Sequence, residues 1–217
     1  MIPLRDKKEL LMYNKIPVFI EDKPVFDAKR TISAVEKRVP DFLVSELDYI
    51  LITDSTYLKE RDLDSVYLDG VIYLSSEVQD GEEAALTLAH EIAHSVEELF
   101  PQIYQDESIE AEFLGKRRKL YEILSSMGIE NTGQDFLNAE YCEKFDDFLY
   151  LEIGYPLLRS LTSGLFMSPY AVTSVREYFA DAFEEYFFRD PATVKLISPS
   201  VYFKIEDLLD NLGEKHV

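Results

Sequence analysis

The sequence predicts an α+β fold, with a small mixed sheet near the N-terminus and a mainly helical remainder. Three observations carry this reading. Two short apolar runs of strand character, DYILITD (48–54) and VYLDGVIYLS (66–75), fall in the first third of the chain. The segment EEAALTLAHEIAHSVEELF (82–100) then repeats apolar residues at helical spacing. Beyond it, most segments keep a period of three or four residues.

The elements follow in order. PVFIEDKPVF (17–26) reads as extended, with prolines at both ends. Ile32, Val35, Val39, Leu43 and Leu47 mark one helix face, which Pro40 breaks or kinks. Residues 48–54 suit a buried strand, and 66–75 a strand or hairpin turning at Asp69-Gly70. In the 82–100 helix, Ala85, Leu88, Ala89, Ile92, Val96 and Leu99 form the apolar stripe, and Pro101 ends it. Glu82 and Glu83 suit its electropositive start. Helices are predicted over 106–127 and 134–152, separated by Gly128 and Asn131 to Gly133. A loop is expected over 158–174, a helix capped by Ser174 over 175–190, and a last helix over 200–212. No segment marks a domain boundary, so 1–217 reads as one domain.

Composition narrows the function. At 217 residues and 25.1 kDa, with 47% hydrophobic and 29% charged residues, the chain is neither disordered nor fibrous. It has 22 basic against 42 acidic residues, a net charge of −20, which argues against general nucleic-acid binding. That charge serves either solubility or the steering of a basic substrate or partner. The single Cys142 excludes an internal disulfide framework and reads as a packed thiol. No run approaches the roughly 20 apolar residues of a membrane span. No signal peptide is visible, so the expected location is cytoplasmic, or secreted by a route the sequence does not display.

The sequence HEIAH (90–94) concentrates the chemistry. Positions i and i+4 of a helix share a face, so His90 and His94 can reach one metal ion, and zinc suits imidazole. Glu91, about 100° round the helix, is placed to take a proton from an attacking water. With 3 His and 24 Glu in the chain, random placement yields His-Glu-x-x-His roughly 0.5% of the time. Catalytic zinc usually has three protein ligands. His216, two residues from the end, is a poor third ligand, and Glu97 and Glu98 lie a turn too far along. Glu107, Glu110 and Glu112 are possible, though a solvated face explains them better. The best candidate is Glu177, in the strongly apolar helix EYFADAFEEYF, where its other reading is a helix cap. Asp181, at i+4 from Glu177, could accept the second N–H of a liganding histidine. KRRK (116–119) reads as a solvated helix face.

HEIAH, Ser168-Pro169-Tyr170 and Glu177-Tyr-Phe-Ala180-Asp-Ala-Phe183 together resemble the anthrax lethal factor protease domain and the Pro-Pro endopeptidases. The resemblance spans roughly residues 25 to 214 and implies a zincin-like metalloprotease domain. It implies a zinc peptidase with His90, His94 and Glu177 as ligands, Glu91 as general base and Tyr170, seven residues before Glu177, as oxyanion donor. Two departures are Ala93, where the family often has Gly, and a longer span from His94 to Glu177. The excess falls at about 104–152, a helical insertion that bears on specificity. The expected partner is a peptide or protein substrate, basic in the steering reading, met by a monomer without nucleic acid. The alternative is a regulatory or binding protein on the same fold, with metal only as a staple.

Overall fold

A computed structural model describes residues 8–129 and 133–213, which leaves Asn131 and His216 outside the described residues. The architecture is α+β, with one five-stranded mixed sheet followed by helices. It divides into two compact units, the first ending at Phe100 and the second beginning at Pro101.

In the first unit the strands are β1 (Lys8–Met12), β2 (Ile16–Ile20), β3 (Tyr49–Thr53), β4 (Ser65–Leu68) and β5 (Val71–Ser75). Their spatial order is β1-β2-β3-β5-β4. β2, β3 and β5 run parallel, and each edge is closed by an antiparallel hairpin strand. The β1–β2 hairpin lies in the stretch read as a polar start. Only Met12 of β1 is fully buried among its described side chains, so the strand left little apolar signal. Helix α1 (Ala28–Glu36) makes the crossover from β2 to β3, and Asp27 caps it by accepting from the Arg30 amide at 3.1 Å. After Pro40 the chain makes only a 3-10 turn, Asp41–Val44, as the predicted break requires. A short helix, α2 (Thr56–Glu60), precedes β4.

The β4–β5 turn falls at Asp69-Gly70, with φ of 47° and 82°. Both residues are left-handed, the geometry that twists a two-residue hairpin correctly. Helix α3 (Gly81–Leu99) then covers the sheet. Asp80 caps it, accepting from the amides of Glu82 at 2.8 Å and Glu83 at 2.9 Å. Ala84, Ala85, Leu88, Ala89, Ile92, Ala93 and Val96 are buried, facing α1, β4 and β5.

The second unit contains α4 (Ser108–Ser126), α5 (Glu143–Asp147), α6 (Tyr155–Thr162), α7 (Val175–Phe188), α8 (Pro191–Ile197) and α9 (Pro199–Gly213). Its core is aromatic: Phe113, Phe136, Phe145, Tyr178, Phe179 and Phe183 are all at most 2% exposed. Three expectations need correction here. The helix predicted over 134–152 is broken into a 3-10 turn, α5 and a π-helical turn at Phe148–Ile153. The break has a cause, since Ala139 leaves helical pairing to accept from the Val175 amide at 2.8 Å. The loop expected over 158–174 begins later, because Pro156 in the first turn favours a helical start for α6. KRRK is a solvated face only in its second half, at Arg118 and Lys119. Arg117 is 0% exposed and Lys116 is mostly buried, its ammonium pushed down to about 8 by that burial.

Among the described residues no helix is long and apolar enough to cross a membrane. The hairpin supplies a direct stability test. A Cβ on Gly70 would lie 3.0 Å from Asp48 Oδ2, at a φ that L-residues disfavour. Gly70→Ala is expected to lower the unfolding free energy by roughly 1–2 kcal/mol in urea titrations. An unchanged midpoint would show that the turn relaxes freely.

Candidate metal centre

The candidate residues are divided between the units: His90, Glu91 and His94 lie in the first, Tyr170, Glu177 and Asp181 in the second. In the first, α3 places His90 and His94 one turn apart, both half-buried, with ring centroids 5.1 Å apart and edge to face. His94 Nδ1–H donates to Glu97 Oε2 at 2.8 Å. A ring that donates through Nδ1 is the tautomer whose Nε2 carries the lone pair a metal needs. Glu97 is itself buried, at 6% exposed, so it is no solvated helix acid. Dismissing it as a ligand left a different role unread. At i+3 from His94, its spacing alone could have suggested that role.

Glu91 is also 6% exposed. The Ser65 hydroxyl on β4 donates to Glu91 Oε1 at 2.5 Å, so the carboxylate is anchored at one oxygen. Burial of a carboxylate in the middle of a sheet-packed helix is costly unless donors compensate. Nothing in the sequence around Ser65 marked it as that donor.

In the second unit, Ser174 caps α7 as predicted, accepting from the Glu177 amide at 3.1 Å. Glu177 therefore sits in the first turn, where the helix dipole favours its charge. Tyr170 lies one 3-10 turn upstream, in Tyr170–Val172. Partial burial of a residue still 37% exposed, then the Glu177 and Asp146 carboxylates, push its phenol above the ordinary tyrosine range. It therefore remains a protonated donor near neutrality.

Asp181 accepts from the Ser168 hydroxyl, whose oxygen in turn accepts the amides of Tyr170 at 3.0 Å and Ala171 at 3.2 Å. Within its own unit, Asp181 thus braces the loop that carries Tyr170. Of the other acids considered, Glu112 accepts from the Tyr178 hydroxyl and, at 2.9 Å, from the Ser200 amide. Both its oxygens tie α4 to α7 and α9. Glu107 precedes α4 with a left-handed φ of 56°, and Glu110 is exposed in its first turn. Cys142 is half-buried and free of any disulfide.

The donor types suit zinc: two imidazoles one turn apart on α3, with no thiolate required. No protein-family model, curated protein or solved structure matches the chain.

The cap and ligand readings of Glu177 separate by zinc titration of Glu177→Gln, since glutamine keeps the cap but is a poor substitute for a carboxylate on a dication. Ser174→Ala should cost about 1 kcal/mol in urea unfolding, the usual value of a lost serine cap. Glu177→Gln should stay within about 0.5 kcal/mol of wild type, since glutamine matches this half-buried side chain in shape and can still bond back to the cap. A larger loss at Glu177 would make it a structural group first.

Proposed function

We propose that the protein is a zinc-dependent endopeptidase with a zincin-like, lethal-factor-like domain, in which His90, His94 and Glu177 hold one zinc ion. The observation that carries this reading is the arrangement on α3. His94 is fixed by a buried carboxylate, His90 is its neighbour one turn away, and Glu91 is buried and anchored beside them. A histidine pair needed only as a metal staple has no use for an adjacent buried glutamate. The reading requires the second unit to supply Glu177 to the same ion, which is what the Glu-x-x-Ala-x-x-Phe resemblance implies. Three protein ligands leave a position for water, as in catalytic zinc sites.

Bound zinc would supply Lewis acidity, polarising the scissile carbonyl and lowering the pKa of water towards about 7. The chain's residues do the rest. Glu91 takes the proton from the attacking water and returns it to the leaving amine. The Ser65 hydroxyl holds one Glu91 oxygen, which leaves the other to meet the water in a set direction. The Tyr170 phenol donates a hydrogen bond to the oxyanion as it develops. Glu97 keeps His94 in the binding tautomer, and Asp181 is the candidate to do the same for His90.

Zinc analysis combined with peptide-library cleavage tests this. Wild type should bind one zinc per chain and cleave. Affinity should fall on acidification, because each imidazole must lose its proton to bind. Glu91→Ala should keep zinc and lose cleavage. Zinc with no cleavage by wild type would favour the binding-protein alternative, and no zinc at neutral pH would end both. In the same assay Tyr170→Phe should lower kcat on the order of 10²–10³-fold, the usual effect of one oxyanion donor. An unchanged rate would remove Tyr170 from the site.

A further inference from the structure

The basic run on α4 has no part in the proposed chemistry, yet Arg117 is among the largest fully buried side chains. Its Nε donates to the Val172 carbonyl at 2.8 Å and Nη2 to the Thr173 carbonyl at 2.7 Å. Nη1 donates to the Asp135 carbonyl at 3.1 Å and to the Asn138 carbonyl. The rings of Phe113 and Phe145 lie 4.7 Å and 4.4 Å from the guanidinium carbon. One planar fork thus grips two separate stretches of backbone, 135–138 and 172–173, between two aromatic faces.

One gripped stretch, 172–173, lies between Tyr170 and Glu177, the second unit's share of the proposed site. Thr173 returns to Tyr170 twice, its amide donating to the Tyr170 carbonyl at 2.9 Å and its hydroxyl at 2.8 Å. The next residue, Ser174, holds the Glu177 amide, and Val175 is tied to Ala139, directly after the other gripped stretch. We propose that Arg117 is a positioning residue for the metal site, fixing the Tyr170–Glu177 segment so that phenol and carboxylate keep a set separation. This rests on the zinc peptidase reading. Guanidinium geometry explains the choice of residue. A lysine ammonium is a point donor with three hydrogens and cannot span four carbonyls on two segments. An apolar residue would deprive the buried Val172 and Thr173 carbonyls of this donor.

The test uses the full chain with Arg117→Lys and, as a milder second variant that keeps the arginine, Phe145→Leu. Amide hydrogen exchange, zinc titration and peptide cleavage are measured on each. Arg117→Lys should speed exchange at 171–178 by about tenfold or more, while β3 and β5 of the first unit stay unchanged. Zinc affinity and kcat should each fall on the order of 10–100-fold, as for other groups supporting metal ligands, with KM near wild type. Phe145→Leu should shift the same quantities less. Exchange at 171–178 that rises no more than elsewhere in the second unit, with zinc affinity and kcat unchanged per folded molecule, would overturn the proposal. If wild type binds no zinc, the peptidase reading fails, and exchange at 171–178 alone decides whether Arg117 holds the segment.

Discussion

A carboxylate removed from water must find donors or a cation, and helix α3, whose apolar stripe covers the sheet, also buries two carboxylates, one on each flank of that stripe. Glu91 meets this demand through the Ser65 hydroxyl and Glu97 through the His94 ring. The consequence reaches beyond the helix. Ser65 can serve only because β4 closes the sheet edge antiparallel to β5, which fixes the register of Ser65 against Leu74. The left-handed turn at Asp69-Gly70 sets that register. The chemistry of the histidine motif and the topology of the sheet are therefore one constraint seen from two sides. An apolar helix would cover the same sheet with less difficulty; under the proposed function the buried acids would orient His94 and an attacking water.

The second unit answers the same demand with the opposite sign. Arg117 sits between aromatic rings and satisfies its fork on main-chain carbonyls. Glu112 binds the Tyr178 hydroxyl and the Ser200 amide, while Lys116 donates to the Leu165 and Ile197 carbonyls. These charged groups on α4 join the loop before α7, the start of α9 and the end of α8. A helix amid an aromatic core can hold several neighbouring segments only through long polar side chains, since short apolar ones reach a single layer.

Much of this was legible in the sequence. The α3 stripe, the Asp69-Gly70 turn, the Pro40 break and the Ser174 cap each rest on local chemistry, and each has its counterpart in the fold. What escaped depended on distant partners. β1 becomes a strand only by pairing with β2, and its one fully buried described side chain is Met12. The stretch after Gly133 has helical periodicity, but Ala139 is drawn away by the Val175 amide. KRRK looks like any solvated charge run until the carbonyls that Arg117 meets are known. Helix α8 was legible and missed: Asp190-Pro191 is a cap followed by proline in the first turn, and Asp190 accepts from the Ala192 amide at 3.0 Å. For the candidate site, the His90, Glu91 and His94 roles came from spacing on one helix. Ser65 and Arg117 had no signal in spacing at all.

The proposal's central claim is that His90, His94 and Glu177 would hold one zinc ion. Crystals of the zinc-loaded protein, with data collected across the zinc absorption edge, test it most directly. The account predicts a single anomalous peak bound by one nitrogen each of His90 and His94 and by a Glu177 oxygen, at about 2.0–2.2 Å. A peak bound by the histidines without Glu177, or none near α3, would contradict it.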